Sequence, residues 1–426
     1  MKISSRRILA VAATAATFTL VATGCTAGGG TPDATTITML TASAAGTPGG
    51  DVYREVIADF EKETGITVKL ELGGEEVPLV FETSVAANKQ ADIVNINPVA
   101  NPLSWIDSGI VVPVSDYLDE WGLTDRVLPA AIAEWTRDSD GDLQGFPFEG
   151  YQWPVWFNTA LFEQAGVDIP TTTDELIDAA AELRAAGIQP FAVGGNDWSG
   201  QKLLLQIAQS YLTPDEAKEV FTNGGWCTTD NAMKGIELFT ELRDAGVFID
   251  DVEGLEASSM AAAFDTGKAA MMSAGSWEIA NVPAEMKESV LFGGFPIPSD
   301  GEYTKPTSYQ GTANGFWIST KGVEKIDAIK QFIQYIYSPE VAAKFVNEAQ
   351  VITALEIDPA LIDSNVDPLL AQLASELPAT VEYAVHPDKY VPGTITEQLI
   401  RQTAVAFGDG VSAEDACAAL DSVYAG

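Results

Sequence analysis

The chain has 426 residues, of which 23 are basic and 61 are acidic, so its formal net charge is −38 at pH 7. A surface this negative repels nucleic acids and anionic lipids, whose phosphates bind clustered lysine and arginine, so we expect no nucleic-acid partner. Hydrophobic residues make up 46% of the chain, which excludes general disorder and is enough for more than one domain's core.

Residues 1–24 are predicted to be a signal peptide. Lys2, Arg6 and Arg7 precede an apolar run, residues 8–20, that is too short to cross a bilayer. Basic residues, then a short apolar run, then small residues are the pattern of an export signal. The paired arginines leave the export route open between the general secretory and the twin-arginine pathways.

Cys25 directly follows the small residues Ala22, Thr23 and Gly24. This arrangement resembles the lipobox of bacterial lipoproteins, which implies that Cys25 becomes the lipid-bearing first residue of the mature chain. The alternative is an ordinary cleaved signal with an incidental cysteine. Residues 25–35 are rich in glycine and are expected to form a flexible tether. We therefore expect a protein on the extracellular face of the cell membrane, held there by its lipid anchor alone.

Strands and helices alternate along the remaining chain. Residues 36–40 and 66–72 are predicted strands, and residues 51–64 between them have the apolar periodicity of a helix. This β-α-β order predicts a parallel sheet with helices on its faces. The same alternation continues with strands at 91–96, 191–193 and 269–272 and helices at 174–186, 233–245, 323–337 and 412–424. The predicted fold class is therefore α/β, with two doubly wound lobes.

Aromatic side chains are the most suggestive candidates for ligand binding. Tryptophan has a flat apolar face and one N–H donor, which suits a sugar ring with an apolar C–H face and a hydroxylated rim. Trp153 and Trp277 stand beside polar or small residues, which favours ligand contact. Trp156 and Trp317 are interpreted as core residues.

Two glycines in residues 264–277 indicate how this segment of the chain folds. Gly267 is expected to turn the chain into a buried strand, and Gly275 to let the backbone approach another group closely before Trp277 begins a helix. A strand, a glycine and then an aromatic residue at a helix start is typical of a ligand-facing segment in α/β proteins.

Signatures of catalysis are few. The chain has one histidine, His386. The sequence contains no nucleophile elbow, phosphate loop or zinc-protease motif. Asp138, Asp140 and Asp142 lack the later ligands of a calcium loop and are interpreted as a solvated turn. We expect neither a metal nor a cofactor, and no enzyme. A glycoside hydrolase needs only two carboxylates, so it stays the enzymatic alternative.

Cys227 and Cys417 are the cysteines that remain after Cys25. Two thiols in an exported chain favour a disulfide. Closing so long a loop would contribute about 5 kcal/mol on the chain-entropy model. Two separate buried thiols are the alternative.

Five segments in order resemble the family 1 extracellular solute-binding proteins of ABC sugar importers, the family that includes maltose-binding protein. The most specific is residues 145–176, in which Phe157, Thr159 and Thr173 stand where the family usually has Tyr, Lys and Trp. These departures fall on positions that are mainly structural. The other four segments are residues 59–68, 91–94, 264–277 and 408–416.

This resemblance implies a periplasmic-binding-protein-like fold in which two lobes are joined by hinge strands and close on one ligand. Lobe one would be residues 36–147 plus 308–352, and lobe two residues 148–307 plus 353–426. The implied function is capture of a sugar or oligosaccharide and its delivery to the permease subunits of an ABC importer, by a monomer. The alternatives are a secreted glycoside hydrolase and a binder of a non-sugar solute on the same fold.

The resemblance also implies which residues face the cleft. They follow the strands of the two lobes or lie on the hinge crossings. These residues are Glu75, Glu76, Asn97, Asn101, Glu149, Tyr151, Trp153, Trp198, Gly275, Ser276, Trp277, Gln310, Thr312, Asn314, Glu382 and Tyr383.

Overall fold

The structure is a computed structural model that describes residues 35–98, 104–137, 139–363 and 366–425. The predictions for the signal peptide, Cys25, nearly all of the tether, and Asn101 fall outside these residues. The side chain of Glu75 is likewise not described.

Strands and helices alternate through most of the described chain. The strands are β1 (Thr36–Thr41), β2 (Thr67–Leu72), β3 (Ile93–Ile96), β4 (Val111–Val112), β5 (Phe146–Pro147), β6 (Glu149–Trp153), β7 (Val155–Asn158), β8 (Gln189–Ala192), β9 (Ala269–Ser273), β10 (Val290–Gly293), β11 (Thr307–Thr312), β12 (Gly315–Ser319), β13 (Ile352–Thr353) and β14 (Glu382–Tyr383). The helices are α1 (Pro48–Thr64), α2 (Val77–Ala86), α3 (Ser115–Glu120), α4 (Pro129–Trp135), α5 (Thr159–Ala165), α6 (Thr173–Ala185), α7 (Trp198–Ala208), α8 (Pro214–Asn223), α9 (Asp230–Asp244), α10 (Ala257–Asp265), α11 (Ile326–Ile336), α12 (Pro339–Ala349), α13 (Pro368–Ser375), α14 (Leu377–Thr380), α15 (Thr396–Ala406) and α16 (Ala413–Ser422).

The first sheet has the strand order β2-β1-β3-β12-β4, and β5 also pairs with β12. β1 is parallel to both β2 and β3, as the predicted β-α-β unit requires. The connecting helix α1 is capped at its start by Thr47, whose hydroxyl accepts from the Gly50 N–H, and ends at Gly65 with a φ of 75°. Its apolar face packs into a core formed by residues 37–148 and 316–355, named here the first core.

The second sheet has the order β10-β7-β9-β8, with β8 and β9 parallel. Its strands and the surrounding helices bury a separate group of side chains from residues 155–295 and 369–423, named here the second core. Trp156 lies in this core and Trp317 in the first, both fully buried, so their interpretation as core residues is confirmed.

A third sheet, of order β13-β6-β11-β14, lies where the chain passes from one core to the other. The chain leaves the first sheet after β5, crosses through β6 and enters the second sheet at β7. It returns through β11, which pairs antiparallel with β6, and enters the first sheet again at β12. These two crossings are the hinge strands. The predicted fold class, α/β with two lobes joined by hinge strands, is confirmed.

Cys227 and Cys417 are joined by a disulfide, with their Cα atoms 5.2 Å apart. The bridge ties α16, near the C-terminus, to the turn before α9. The Asp421 carboxylate strengthens the same junction by accepting from the backbone N–H groups of Gly225, Trp226 and Cys227. No helix in the described ranges is both long enough and apolar enough to cross a membrane.

Candidate functional site

Three tryptophan side chains from different elements meet beside the hinge. The Trp153 ring lies 5.4 Å from Trp198 and 5.3 Å from Trp277 between centroids, and the latter two are 6.2 Å apart. Trp153 is only 4% exposed, whereas Trp198 is 38% and Trp277 42% exposed. Trp153 therefore packs beneath two outer rings that are each partly exposed. Together the three rings are named here the tryptophan platform.

The platform sits where an α/β fold presents its ligands. Trp198 begins α7, shortly after β8, and Trp277 follows β9, so both come from the carboxyl ends of parallel strands. Gly275 explains how Trp277 is held there. A Cβ atom at Gly275 would lie 2.1 Å from the Trp277 ring. The close approach predicted at Gly275 is thus made by the Trp277 ring itself, and only glycine leaves room for it.

Tyr151 links the platform to a second group of side chains. Tyr151 lies on β6, and the centroid of its ring is 5.9 Å from that of Trp277 and 5.7 Å from that of His386. His386 also packs against Tyr309, at 4.7 Å. Ser276 touches the same hinge strand, because its hydroxyl accepts from the Gln152 N–H at 3.4 Å. The ring contacts therefore continue from the tryptophan platform through Tyr151 to His386 and Tyr309.

A cavity of about 580 Å³ lies beside Tyr151. This volume falls within the range of small-molecule sites. Side chains next to first-core residues, such as Glu134 and Gln144, line one part of it, and Tyr383 and His386 line another. Four of the predicted ligand-binding residues line the cavity, namely Tyr151, Gln310, Thr312 and Tyr383.

The charges around the cavity balance, unlike those of the chain as a whole. Among the described residues, three acidic and three basic side chains line it: Asp107, Glu134, Asp388, Arg137, Lys218 and Lys389. Some of these groups are already paired, since Arg137 donates to Asp107 at 2.6 Å and Asp388 forms an ion pair with Lys202, which does not line the cavity. Such a lining favours a polar, uncharged ligand over a strongly ionic one.

Glu149 and Asn314 belong to the hinge rather than to the cavity lining. Asn314 donates to the Glu149 carboxylate at 2.9 Å, and the Tyr53 hydroxyl on α1 donates to it at 3.2 Å. Burial raises the pKa of Glu149 to about 6, although both hydrogen bonds oppose the shift. This network joins α1 to both hinge crossings and positions them.

The remaining predicted residues lie elsewhere. Glu76 is exposed, and Asn97 is half-buried after β3. Glu382 accepts from the backbone N–H and the hydroxyl of Thr304, at 2.8 and 2.7 Å, which lowers its pKa. None of these three lines the cavity, and their assignment as ligand-binding residues stays a prediction.

His386, Glu134 and Gln144 line the cavity but were not among the predicted binding residues. His386 is the chain's one histidine. Its Nδ1 accepts from the Asp388 N–H at 3.3 Å. Burial lowers the pKa of His386 to about 4; the Asp388 carboxylate opposes this shift and Lys202 adds to it.

Folding stability should fall as His386 is driven to bind a proton. The lowered pKa means that the unfolded chain, with a histidine pKa near 6.5, binds this proton more readily than the folded protein does. The folding stability that depends on the neutral His386 ring is fully present above pH 6.5 and is lost as the pH falls toward 4. Between these values the wild type should lose up to about 3 kcal/mol more stability than His386→Gln. Denaturant unfolding of both proteins across this range measures the difference; parallel curves would contradict the prediction.

The described architecture agrees with a known family. The family described as bacterial extracellular solute-binding protein matches residues 44–343, which is more than half of the chain. The chain belongs to this family. The resemblance identified from the five sequence segments is thereby confirmed, and the two-lobed fold is the one expected for a member.

Solved structures of solute-binding proteins share this fold over nearly the whole chain. A probable secreted solute-binding lipoprotein from Streptomyces coelicolor is 41% identical, with a TM-score of 0.81, over 93% of this chain and 100% of that chain. A chitin oligosaccharide binding protein is 26% identical, with a TM-score of 0.80, over 92% of this chain and 98% of that chain.

Curated relatives match a smaller part. The sn-glycerol-3-phosphate-binding periplasmic protein of Salmonella typhimurium is 26% identical over 252 residues, which is 56% of this chain and 56% of that protein. The corresponding protein of Yersinia pestis is 25% identical over 229 residues. The chain spans about half the length of the curated relatives it matches.

Proposed function

We propose that this solute-binding protein captures a sugar or oligosaccharide outside the membrane and delivers it to the permease subunits of an ABC importer. One observation carries the proposal. Trp198 and Trp277 are partly exposed, the Trp277 ring contacts Tyr151, and Tyr151 lines a cavity that has equal numbers of acidic and basic side chains. Stacking on a tryptophan face and hydrogen bonding to hydroxyls are complementary to a pyranose ring. The chitin oligosaccharide binding protein, with the same fold, supports this ligand class.

Closure of the two lobes would accompany capture. We take lobe one as residues 36–147 plus 308–352 and lobe two as residues 148–307 plus 353–426. A ligand that contacts both lobes stabilises the closed state by its differential affinity for that state, and a monomer suffices for this. No covalent step is involved, so we expect no turnover of chromogenic glycosides. Turnover that is lost on removal of one carboxylate would favour the glycoside hydrolase alternative.

A thermal-shift screen tests the ligand class. The purified protein would be heated with mono- and oligosaccharides, sn-glycerol 3-phosphate, amino acids and short peptides. A ligand at a hundred times its Kd should stabilise the folded state by about 2.7 kcal/mol. We expect a shift with at least one sugar. A shift with sn-glycerol 3-phosphate or a peptide, and none with any sugar, would show that the carbohydrate assignment is wrong.

Attachment to the membrane is a separate proposal and rests on Cys25. The Streptomyces coelicolor relative is described as a lipoprotein, which supports it. An anchored protein keeps its binding site near the importer at high effective concentration. A single acyl chain gives only marginal membrane binding, so we expect several chains on Cys25.

Replacement of Cys25 should release the protein without changing its ligand. Cys25→Ser is expected to move the protein from the membrane fraction to the medium, because the lipid attachment site is lost. Immunoblots of both fractions measure the change, and the thermal shift with the sugar that binds the wild type serves as the control for folding. A variant that stays in the membrane fraction would contradict lipid anchoring and leave the sugar proposal intact.

A further inference from the structure

Residues 383–390 form a continuous part of the cavity lining, since all of them except Pro387 line the cavity. They are named here the wall segment. The segment begins at the end of β14, which pairs with β11 through Glu382 and Tyr383. In the described structure the sheet therefore holds the start of the segment directly, and the rest of it needs other support.

The side chain of Gln209 pairs with the wall segment as a neighbouring strand would. Gln209 directly follows α7 and is fully buried. Its Nε2 donates to the Val385 carbonyl at 3.1 Å, and its Oε1 accepts from the Val385 N–H at 3.0 Å. Nε2 also donates to the Tyr309 hydroxyl at 3.0 Å, and the His386 ring packs on Tyr309 with 4.7 Å between centroids. One buried amide therefore fixes both the backbone of the segment and the ring against which its histidine packs.

Lys202 on α7 holds the wall segment at a second point. Lys202 is only 5% exposed, and its ammonium group forms an ion pair with Asp388. Burial acts to raise the pKa of Asp388, but the charge of Lys202, with a contribution from His386, lowers it, so the carboxylate is charged at neutral pH. Separating the pair would leave two largely buried charges without partners, so the ion pair fixes Asp388 against α7.

Neither Lys202 nor Gln209 lines the cavity, so each can act on a ligand only through the segment that it holds. The helix from which they act begins at Trp198 of the tryptophan platform. The same rigid element therefore carries part of the platform and supports the wall segment.

We propose that Lys202 and Gln209 are positioning residues, which hold the wall segment in place from α7 and thereby preorganise the cavity beside the tryptophan platform for its ligand. A site that is already ordered loses less conformational entropy on binding and so binds more tightly. The effect on affinity rests on the proposed sugar-binding function, whereas the placement of the segment can be measured without a ligand.

The one histidine of the chain reports that placement. Protein prepared with ¹³C-labelled histidine and without a polyhistidine tag gives NMR ring signals from His386 alone. In the wild type, burial, with the charge of Lys202, lowers the pKa of His386 to about 4. Gln209→Met removes the hydrogen bonds to Val385 and no charge. A segment that moves toward water should therefore raise the pKa of His386 to above about 5.

Two further variants define how the histidine titration is interpreted. Lys202→Met should also raise the pKa of His386, but it removes a nearby positive charge, so Gln209→Met carries the test. Arg243→Met is the matched control, because Arg243 is a buried cation on α9 that holds a different segment, through the carbonyls of Ala406 and Val411 at 2.8 and 2.6 Å. In this control His386 should titrate as in the wild type.

The proposal is wrong if the folded Gln209→Met protein still titrates at about pH 4, as the wild type does. It is equally wrong if Arg243→Met raises the pKa of His386 as much, because the effect would then follow from lost stability alone. If Gln209→Met does not fold, Gln209→Asn takes its place, since its shorter side chain retracts the amide from Val385.

Titration calorimetry with linear trisaccharides of glucose, xylose and N-acetylglucosamine tests the link to binding. Gln209→Met and Lys202→Met should each bind about tenfold more weakly the trisaccharide that binds the wild type, because the loosened segment must be ordered again. Arg243→Met should bind it as the wild type does. Equal affinity in a variant whose histidine titrates higher would overturn the proposal. If the wild type binds no sugar, the proposed function fails, and the histidine titration still decides whether Lys202 and Gln209 position the segment.

Discussion

Replacing both Cys227 and Cys417 with serine is expected to lower the free energy of unfolding by up to about 5 kcal/mol. The disulfide spans a sequence separation of 190 residues, so it removes many conformations from the unfolded chain. A loss of this size is comparable to the whole stability of a small domain. Guanidinium unfolding of the wild type and the double variant measures it.

The structure indicates that this loss should be confined to stability. The backbone contacts of Asp421 with Trp226 and Cys227 remain in the variant, and neither cysteine lines the cavity. Sugar affinity of the folded variant should therefore equal that of the wild type. Wild-type protein unfolded in the presence of a reductant is the control and should match the variant. A difference in stability below about 1 kcal/mol would contradict a stabilising role for the bridge.

Replacing Trp277 with alanine is expected to weaken sugar binding by about 2 kcal/mol, which is roughly thirtyfold. The side chain is 42% exposed and packs on Trp153 and Trp198. Its removal takes away a stacking face and leaves the polar cavity in place. Titration calorimetry with the sugar that gives the largest thermal shift measures the change.

Two further variants sharpen the test of Trp277. Gly275→Ala should reproduce much of the loss, because its Cβ would occupy the space of the Trp277 ring. Leu291→Ala is the matched control, since Leu291 is 36% exposed in the second lobe but lies on β10, outside the tryptophan platform. Equal affinity of Trp277→Ala and the wild type would exclude Trp277 as a ligand contact.

Local sequence patterns predicted much of the fold. The apolar periodicity of residues 51–64 and the glycine at residue 65 anticipated α1, and the flanking strands were placed within a residue or two. The same reasoning placed Trp156 and Trp317 in the two cores. These features depend on neighbours close in sequence, so their signal is present in a single chain.

Two residues of the cavity lining could not be predicted in the same way. Gln144 and His386 are brought to one cavity by the pairing of β6 with β11 and by the packing of the segment after β14. Neither residue lies in a periodic segment, and the pairing joins parts of the chain far apart in sequence. The Glu149 carboxylate accepts hydrogen bonds from Tyr53 and Asn314, and sequence spacing gives no sign of such a network; its assignment as a ligand-binding residue stays a prediction.

The central claim is that the tryptophan platform and the adjoining cavity bind sugar. A titration of the intrinsic tryptophan fluorescence with oligosaccharides tests it most directly, because the exposed rings are themselves the reporters. We expect a saturable fluorescence change with at least one oligosaccharide. The Kd should be about one micromolar, which corresponds to a binding free energy of about −8 kcal/mol, and the change should be smaller in Trp277→Ala. A flat response to every sugar, with a saturable response to sn-glycerol 3-phosphate or a peptide, would contradict it.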